Sequence, residues 1–261
     1  MISSGDTVIS ALYRYPVKGL GPQEISQTTL AAGETIPFDR AWAIENGRGG
    51  FDPANPRHLP KIHFLMLMRD ERLAALDIEF DESDTTLTVL RGGRRVVKGA
   101  LDTPIGRQLI EQFMAGYMER ELRSAPHIVQ APGHSFSDVA SKCLHIVNLA
   151  SVRELERALG KPVDPLRFRA NVYIETERPW VEFDWIDQEI GIGEARLGVF
   201  ARTSRCEATN VDPQTGARDM AIPATLTRAY GHQDFGIYAS VVQGGRIAVG
   251  DRVNAQAEGV S

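Results

Sequence analysis

The strand-forming runs of this chain are short, and a glycine or proline closes most of them. TVISALYRYPV (7–17) is rich in β-branched and aromatic residues and ends at a proline. EISQTTL alternates loosely, and RAWAIEN (40–46) runs into the turn-forming NGRGG. LDIEFD and TTLTVLRGG, within 76–93, read as the two arms of a hairpin. With 24 Gly and 14 Pro in 261 residues, such breakers recur along the whole chain. Many short strands bury their apolar faces only by pairing into a barrel or a sandwich. The expectation is a mostly β fold with a few helices.

The hydrophobic period changes after position 100. Thr103-Pro104 reads as a helix start. Ile105, Leu109, Ile110, Phe113 and Tyr117 follow at helical spacing, which predicts an amphipathic helix over 104–122. SAPHIVQAPGHS (124–135) has two prolines, a glycine and no period, so it marks the expected boundary between units at 1–123 and 124–255. Beyond it CLHIVN (143–148) reads as a strand. Ser151 and Glu154 form an S-x-x-E capping box for a helix that stops at Gly160. RANVYIE, DQEIGIG, ARLGVFAR, FGIYASVV and RIAVGDRV read as strands, interrupted by a short helix over PATLTRAYG (223–231).

Several function classes fall away on composition. A net charge of -5 argues against non-specific nucleic-acid binding, though a local basic pocket remains open. No stretch approaches the ~20 apolar residues of a membrane span. Residues 1–12 lack the basic start and apolar run of a signal peptide, so a reducing cytoplasm is the expected compartment. GRGG (47–50), GGRR (92–95) and GIGEARLG (191–198) lack the phosphate-loop lysine and the strand-to-helix setting of a dinucleotide loop, and read as turns. The acidic run Asp81, Glu82, Asp84 reads as a solvated turn. The six histidines form no H-x-x-x-H, and His145 alternates within a strand as a core residue does.

Cys206 is the residue those exclusions leave standing. Cys143 and Cys206 are too few for a disulfide framework or a four-thiolate iron–sulfur site, although one disulfide between them stays open. Cys143, at a strand start, reads as packing. Cys206 lies in RTSRCEATNVDPQTGARD (202–219), among arginines and hydroxyls, with an Asn-Val-Asp-Pro turn behind it. Donors and positive charge favour a thiolate, the nucleophilic and metal-binding form. A half-exposed cysteine among solvated arginines is the competing reading. In RFRANVYIE (167–175), Arg169 and Asn171 alternate on one face of the expected strand, and both are donors. Arg binds phosphate in a bidentate fork. Lys18 and Arg40 stand at strand ends, and either also reads as a surface charge over apolar neighbours.

Together these segments resemble the MOSC family, the C-terminal domain of molybdenum cofactor sulfurases, preceded by its companion β-barrel domain. LYRYPVKGLG (12–21) and FDRAWAI (38–44) carry the first part of the resemblance. FSDVASKCLHIVNLASV, DPLRFRANVYIE, RTSRCEATNVDPQTGARD and FGIYASVVQGGRIAVGDRV carry the second. It implies a barrel-like N-terminal domain followed by a MOSC β-barrel, and the molybdenum cofactor as ligand. Cys206 stands where amidoxime-reducing members place the cysteine that ligates molybdenum. Lys18, Arg40, Arg169, Asn171 and Ser204 stand where those enzymes hold the pterin and its phosphate. Arg205 and Thr209 adjoin them, and Asp138, Ser141 and Lys142 fall at the loop under the cofactor. Gly19 replaces the serine that follows the lysine in amidoxime-reducing members, and Ala170 stands where relatives often carry proline.

The implied reaction is reduction of a small N-hydroxylated substrate. A separate ferredoxin- or flavoprotein-type donor would supply the electrons, because two cysteines cannot hold an iron–sulfur cluster. A Cys206 persulfide for sulfur transfer is the alternative, and a non-catalytic cofactor-binding module is a third. No lysine has the setting of a pyridoxal phosphate site, which argues against that cofactor.

Overall fold

The structure, a computed structural model, describes residues 7–47 and 49–255. Arg48 of the expected 47–50 turn and residues 1–6 of the expected first unit lie outside the described residues. The strands are β1 (Val8–Arg14), β2 (Gln23–Ile25), β3 (Gln27–Leu30), β4 (Ala43–Glu45), β5 (Asp77–Asp81), β6 (Thr86–Arg91), β7 (Arg94–Ala100), β8 (His127–Val129), β9 (Leu144–Asn148), β10 (Val172–Glu175), β11 (Glu189–Ile192), β12 (Ala195–Ser204), β13 (Asp234–Gln243), β14 (Gly245–Ala248) and β15 (Val253–Ala255). The α-helices are α1 (Pro104–Tyr117), α2 (Leu149–Leu159) and α3 (Ile222–Tyr230). The mostly β class expected from the sequence is the class observed.

A curled eight-stranded sheet in the order β15-β11-β12-β13-β9-β10-β1-β2 dominates the molecule. Its β1–β10 pair is antiparallel, with Leu12 opposite Val172, and its β9–β10 pair is parallel. β3 pairs with β14 and β1 with β10, so residues 8–30 are woven into the second half of the chain. Sheet membership therefore does not follow the sequence division at 123/124. Alternation on the sheet strands buries Ile9, Leu12, Leu144, Ile174, Leu197 and Ile237 in one cluster. A second core, around Trp42, Leu73, Leu87, Ile110 and Met114, belongs to the N-terminal half. Val211, just beyond Cys206, is buried in that second core.

Local departures from the sequence reading have local causes. The hairpin of 76–93 gains a third strand, β7, whose arginines are exposed and whose role is to receive α1. A Cβ on Gly99 would stand 2.3 Å from the Gly106 carbonyl oxygen, so these two glycines let strand and helix touch. Helix α1 ends at Tyr117 rather than at 122, capped at its start by Thr103 Oγ1, which accepts from Gly106 N at 3.0 Å. The 124–135 segment is not featureless: β8 lies in it and pairs with β4, burying Ile128. Gly92, Gly93 and Gly193 turn between strands at positive φ, as the rejection of phosphate loops requires. The strand expected from Arg169 begins only at Val172, because Pro165–Phe168 forms a 3-10 turn and Arg169 caps it in the left-handed region.

Candidate active site

A cavity of about 500 Å³ opens between the two halves, with Cys206 on its wall. Cys206 follows the end of β12 and begins a short 3-10 turn, Glu207–Asn210. Its carbonyl accepts from Thr209 N at 3.1 Å and from Thr209 Oγ1 at 3.0 Å. Arg205 N is held by Gln233 O at 2.9 Å. The thiol is half-buried and free, so the single disulfide left open by the sequence is absent. Lys61 Nζ reaches across from the N-terminal half to within 3.5 Å of Cys206 Sγ.

The cavity wall is strongly cationic. Lys18, Arg40, Lys61, Arg167, Arg169, Arg202 and Arg205 line it, against Asp39 and Asp138. Both carboxylates are already engaged. Asp39 accepts from Tyr15 N at 2.9 Å and from the Arg40 guanidinium. Asp138 accepts from Lys18 and lies 3.9 Å from Lys61 Nζ. Burial opposes the Asp138 charge, but Lys18, Lys61 and Arg40 outweigh it and hold its pKa down at about 2. Burial pulls the Lys18 pKa down despite that partner. Lys18 Nζ also donates to Phe136 O at 2.8 Å.

Two cationic groups stay underused. The Arg169 backbone is bonded, its carbonyl accepting from Arg40 Nη2 at 3.0 Å and its N–H donating to Leu166 O at 3.1 Å. Among the described residues its guanidinium makes no hydrogen bond or ion pair and lies 4.4 Å from the centre of the Tyr15 ring. Burial and the neighbouring Arg40 pull its pKa below the usual guanidinium value. Arg205 Nη2 donates to Phe168 O at 2.8 Å, while its buried Nε has no partner among the described residues. Arg205 Nη1 sits 3.4 Å from His145 Nε2. A guanidinium only donates, so it faces the lone pair of a neutral imidazole. Burial, then Arg205 and Arg40, keep the His145 pKa well below its usual value.

The structure brings Cys206, Lys18, Arg40, Asp138, Arg169, Asn171, Ser204 and Arg205 to this one cavity. Asn171 is nearly consumed by structure: its Oδ1 accepts from His145 N at 3.1 Å and its Nδ2 donates to Tyr13 O at 3.2 Å. Thr209 is buried under Cys206 as a brace. Lys142 turns away to Glu34, at 2.6 Å, beside a separate cavity of about 300 Å³. Ser141 is exposed and lies off the cavity wall. Cys143 does reach the wall, but burial raises its pKa to about 12, which keeps it a thiol. Lys61, Arg167 and His145 went unread as site residues. Lys61 opens a single 3-10 turn, Lys61–His63, in a stretch without hydrophobic period, and nothing local in the sequence points it at Cys206.

Residues 6–119 match the family described as "MOSC N-terminal beta barrel domain", and residues 132–254 match "MOSC domain". Human molybdenum cofactor sulfurase is 24% identical over 273 residues, covering 90% of this chain and 30% of its own length. The sulfurase of Drosophila mojavensis is 36% identical over 251 residues, covering 87% of this chain and 31% of its own. The chain thus spans about 30% of the length of these sulfurases. Human mitochondrial amidoxime-reducing component 1 is 25% identical over 279 residues, covering 94% of this chain and 82% of its own. The solved YUAD protein of Bacillus subtilis superposes over 95% of this chain and 94% of its own, with TM-score 0.44 and 13% identity, a likeness too distant to speak to chemistry.

Proposed function

This chain belongs to the MOSC family, and on that premise we propose that it holds the molybdenum cofactor in the inter-half cavity and reduces N-hydroxylated compounds. The observation that carries the reading is one cavity whose wall holds both a half-exposed thiol and the Arg169 guanidinium, which among the described residues has no hydrogen-bond or ion-pair partner. A chain of net charge -5 gathers positive charge there, which suits an anionic ligand. The donor set fits the cofactor: guanidinium forks and Lys18 for its phosphate, and a soft thiolate for its metal.

When bound, the cofactor supplies two-electron removal of an oxygen atom from substrate. The balance is R–NHOH plus two electrons and two protons, giving R–NH2 and water. Cys206 ligates the metal, and Arg169, Arg40, Lys18 and Arg205 bind and orient the phosphate and pterin. Ser204, exposed on the same wall, adds a hydroxyl donor. Lys61 sets a positive charge against the sulfur. These 261 residues hold only two cysteines, too few for a four-thiolate iron–sulfur cluster, so the reading takes its electrons from a carrier of ferredoxin or flavoprotein type. A second reading, sulfur transfer through a Cys206 persulfide, draws support from the 36% identity to a sulfurase. Among the described residues no helix is long and apolar enough to cross a membrane.

The deciding experiment expresses the chain in a host that makes the cofactor and measures molybdenum, released pterin and turnover of an N-hydroxylated compound with a supplied donor. Wild type is expected to carry molybdenum and turn over. Cys206→Ser should lose at least about 100-fold in turnover while its thermal midpoint stays close to wild type, because a ligand goes and little volume changes. Full activity in that variant removes cysteine ligation from consideration. A mass gain of one sulfur on Cys206, without molybdenum, selects sulfur transfer instead.

A further inference from the structure

Arg167 lines the same cavity but is assigned no ligand contact in that reading; it is only 3% exposed, and its two terminal nitrogens are taken up by protein partners. Its Nη1 donates to Asn210 O at 3.2 Å. Its Nη2 donates to Asp212 Oδ2 at 3.1 Å and to Asp219 Oδ2 at 3.0 Å. One guanidinium therefore gathers three points of the segment that leaves Cys206. Asp212 passes the constraint on: its Oδ1 accepts from Gln214 N at 3.1 Å and from Thr215 N and Oγ1, both at 2.8 Å. On the other side of the thiol, Arg205 is tied to Phe168 O at 2.8 Å. So two consecutive residues, Arg167 and Phe168, hold Cys206 from downstream and from upstream. The next residue, Arg169, offers the unpaired guanidinium.

We propose that Arg167 is a positioning residue that fixes where the Cys206 thiol stands relative to the Arg169 guanidinium. This rests on the reading that both side chains serve one bound group. A planar fork engages two carboxylates and a carbonyl at set angles, which an ammonium cannot do. Burying the Arg167 guanidinium costs desolvation, and its two carboxylate partners stay partly exposed, so the cluster is a poor route to stability. Its return is geometry, and the geometry it fixes is that of the Cys206 segment. Arg218 secures the far end of that segment to the N-terminal half, donating to Met68 O at 2.6 Å and to Glu71 at 3.2 Å.

The first test needs no cofactor. Hydrogen exchange on the metal-free chain should show the amides of 207–219 exchanging at least about tenfold faster in Arg167→Met, with those of α2 and β13 unchanged. The second test uses the cofactor-loaded chain. Arg167→Met should keep wild-type molybdenum content, lose about tenfold or more in kcat and shift KM little, with partial recovery in Arg167→Lys. Arg169→Ala should instead lose molybdenum. If Arg167→Met gives no cooperative melt, Asp219→Asn at the half-exposed end of the clamp should give the same pattern at smaller amplitude. Wild-type exchange over 207–219 in these variants overturns the proposal, as does a loosened segment with full turnover. A loosened segment in a chain whose wild type takes up no molybdenum upholds the positioning role and removes the cofactor reading.

Discussion

Arg40 and Arg169 both adopt left-handed backbone, at φ 53°, a conformation that costs a non-glycine residue about 1 kcal/mol or more. That both stand on the cavity wall puts the strain where an anion would be held. Gly19, at φ 88°, follows the same logic from the opposite side: a Cβ there would meet Leu65 O at 2.8 Å. The backbone of this chain thus dictates glycine after Lys18. Asp138 gives this scale its prediction. Its folded pKa of about 2 lies below the ordinary 3.8, so the ion pair with Lys18 contributes stability above about pH 4, and that contribution fades as pH falls through 2. Asp138→Asn should therefore be less stable than wild type near pH 6, with the gap closing between pH 4 and 2. Urea midpoints across that range check it; a gap independent of pH would mean that the charge of Asp138 is irrelevant. Cys206 stood out as a candidate because donors and positive charge surround it. Arg169 was singled out by an alternation with Asn171 on an expected strand, and the structure puts it instead at the left-handed cap of a 3-10 turn. Lys61 was not legible, since only the tertiary fold aims an ordinary lysine of a short 3-10 turn at a sulfur 145 positions away.

Helix α2 shows how an element can be foreseen while its start is misassigned. Gly160 ends it at φ 73°, as the sequence signals. At the other end the S-x-x-E pattern is a decoy. Ser151 sits inside the helix, where its hydroxyl donates to Glu182 at 2.8 Å and accepts from Trp180 N at 2.8 Å. The N-cap is Asn148, the last residue of β9, whose Oδ1 accepts from Ala150 N at 2.9 Å. Asn148 is fully buried, and its Nδ2 also donates to Glu182 at 2.8 Å, a carboxylate whose pKa burial raises. An apolar strand running straight into its helix leaves no polar loop to announce the cap. Asn148→Ala removes the cap, worth about 1 kcal/mol, and strands buried partners at a further ~1–3 kcal/mol. A loss of about 2–4 kcal/mol in unfolding free energy is expected by urea denaturation. A loss under about 0.5 kcal/mol would show that water replaces the side chain. Strand β7 was missed for a related reason, because its exposed arginines hide a pairing set by β6 and α1.

At the scale of the whole molecule, the strand-rich class was legible from the spacing of breakers, but the weave of the two halves was not. Strand pairing is non-local, and nothing in TVISALYRYPV announces that β1 will lie against β10, more than 150 residues away. The weave has a consequence for where the site is. Lys18 and Lys61 come from one half, Arg169 and Cys206 from the other, so the cavity exists only while both are docked. It also bears on the expected division at 123/124. Without residues 7–30, β10 loses its β1 partner, β14 loses β3, and the sheet core loses Ile9, Leu12 and Leu30. An opened strand edge beside exposed core leaves pairing groups and apolar surface unsatisfied. The fragment 124–255 alone should therefore lack a cooperative thermal transition, while adding the 7–30 strands back through a short linker should restore one. Circular dichroism melts of the two proteins decide it. A fragment 124–255 that melts cooperatively by itself would make β1–β3 mere additions to a self-sufficient barrel, and the inter-half cavity a junction between independent domains.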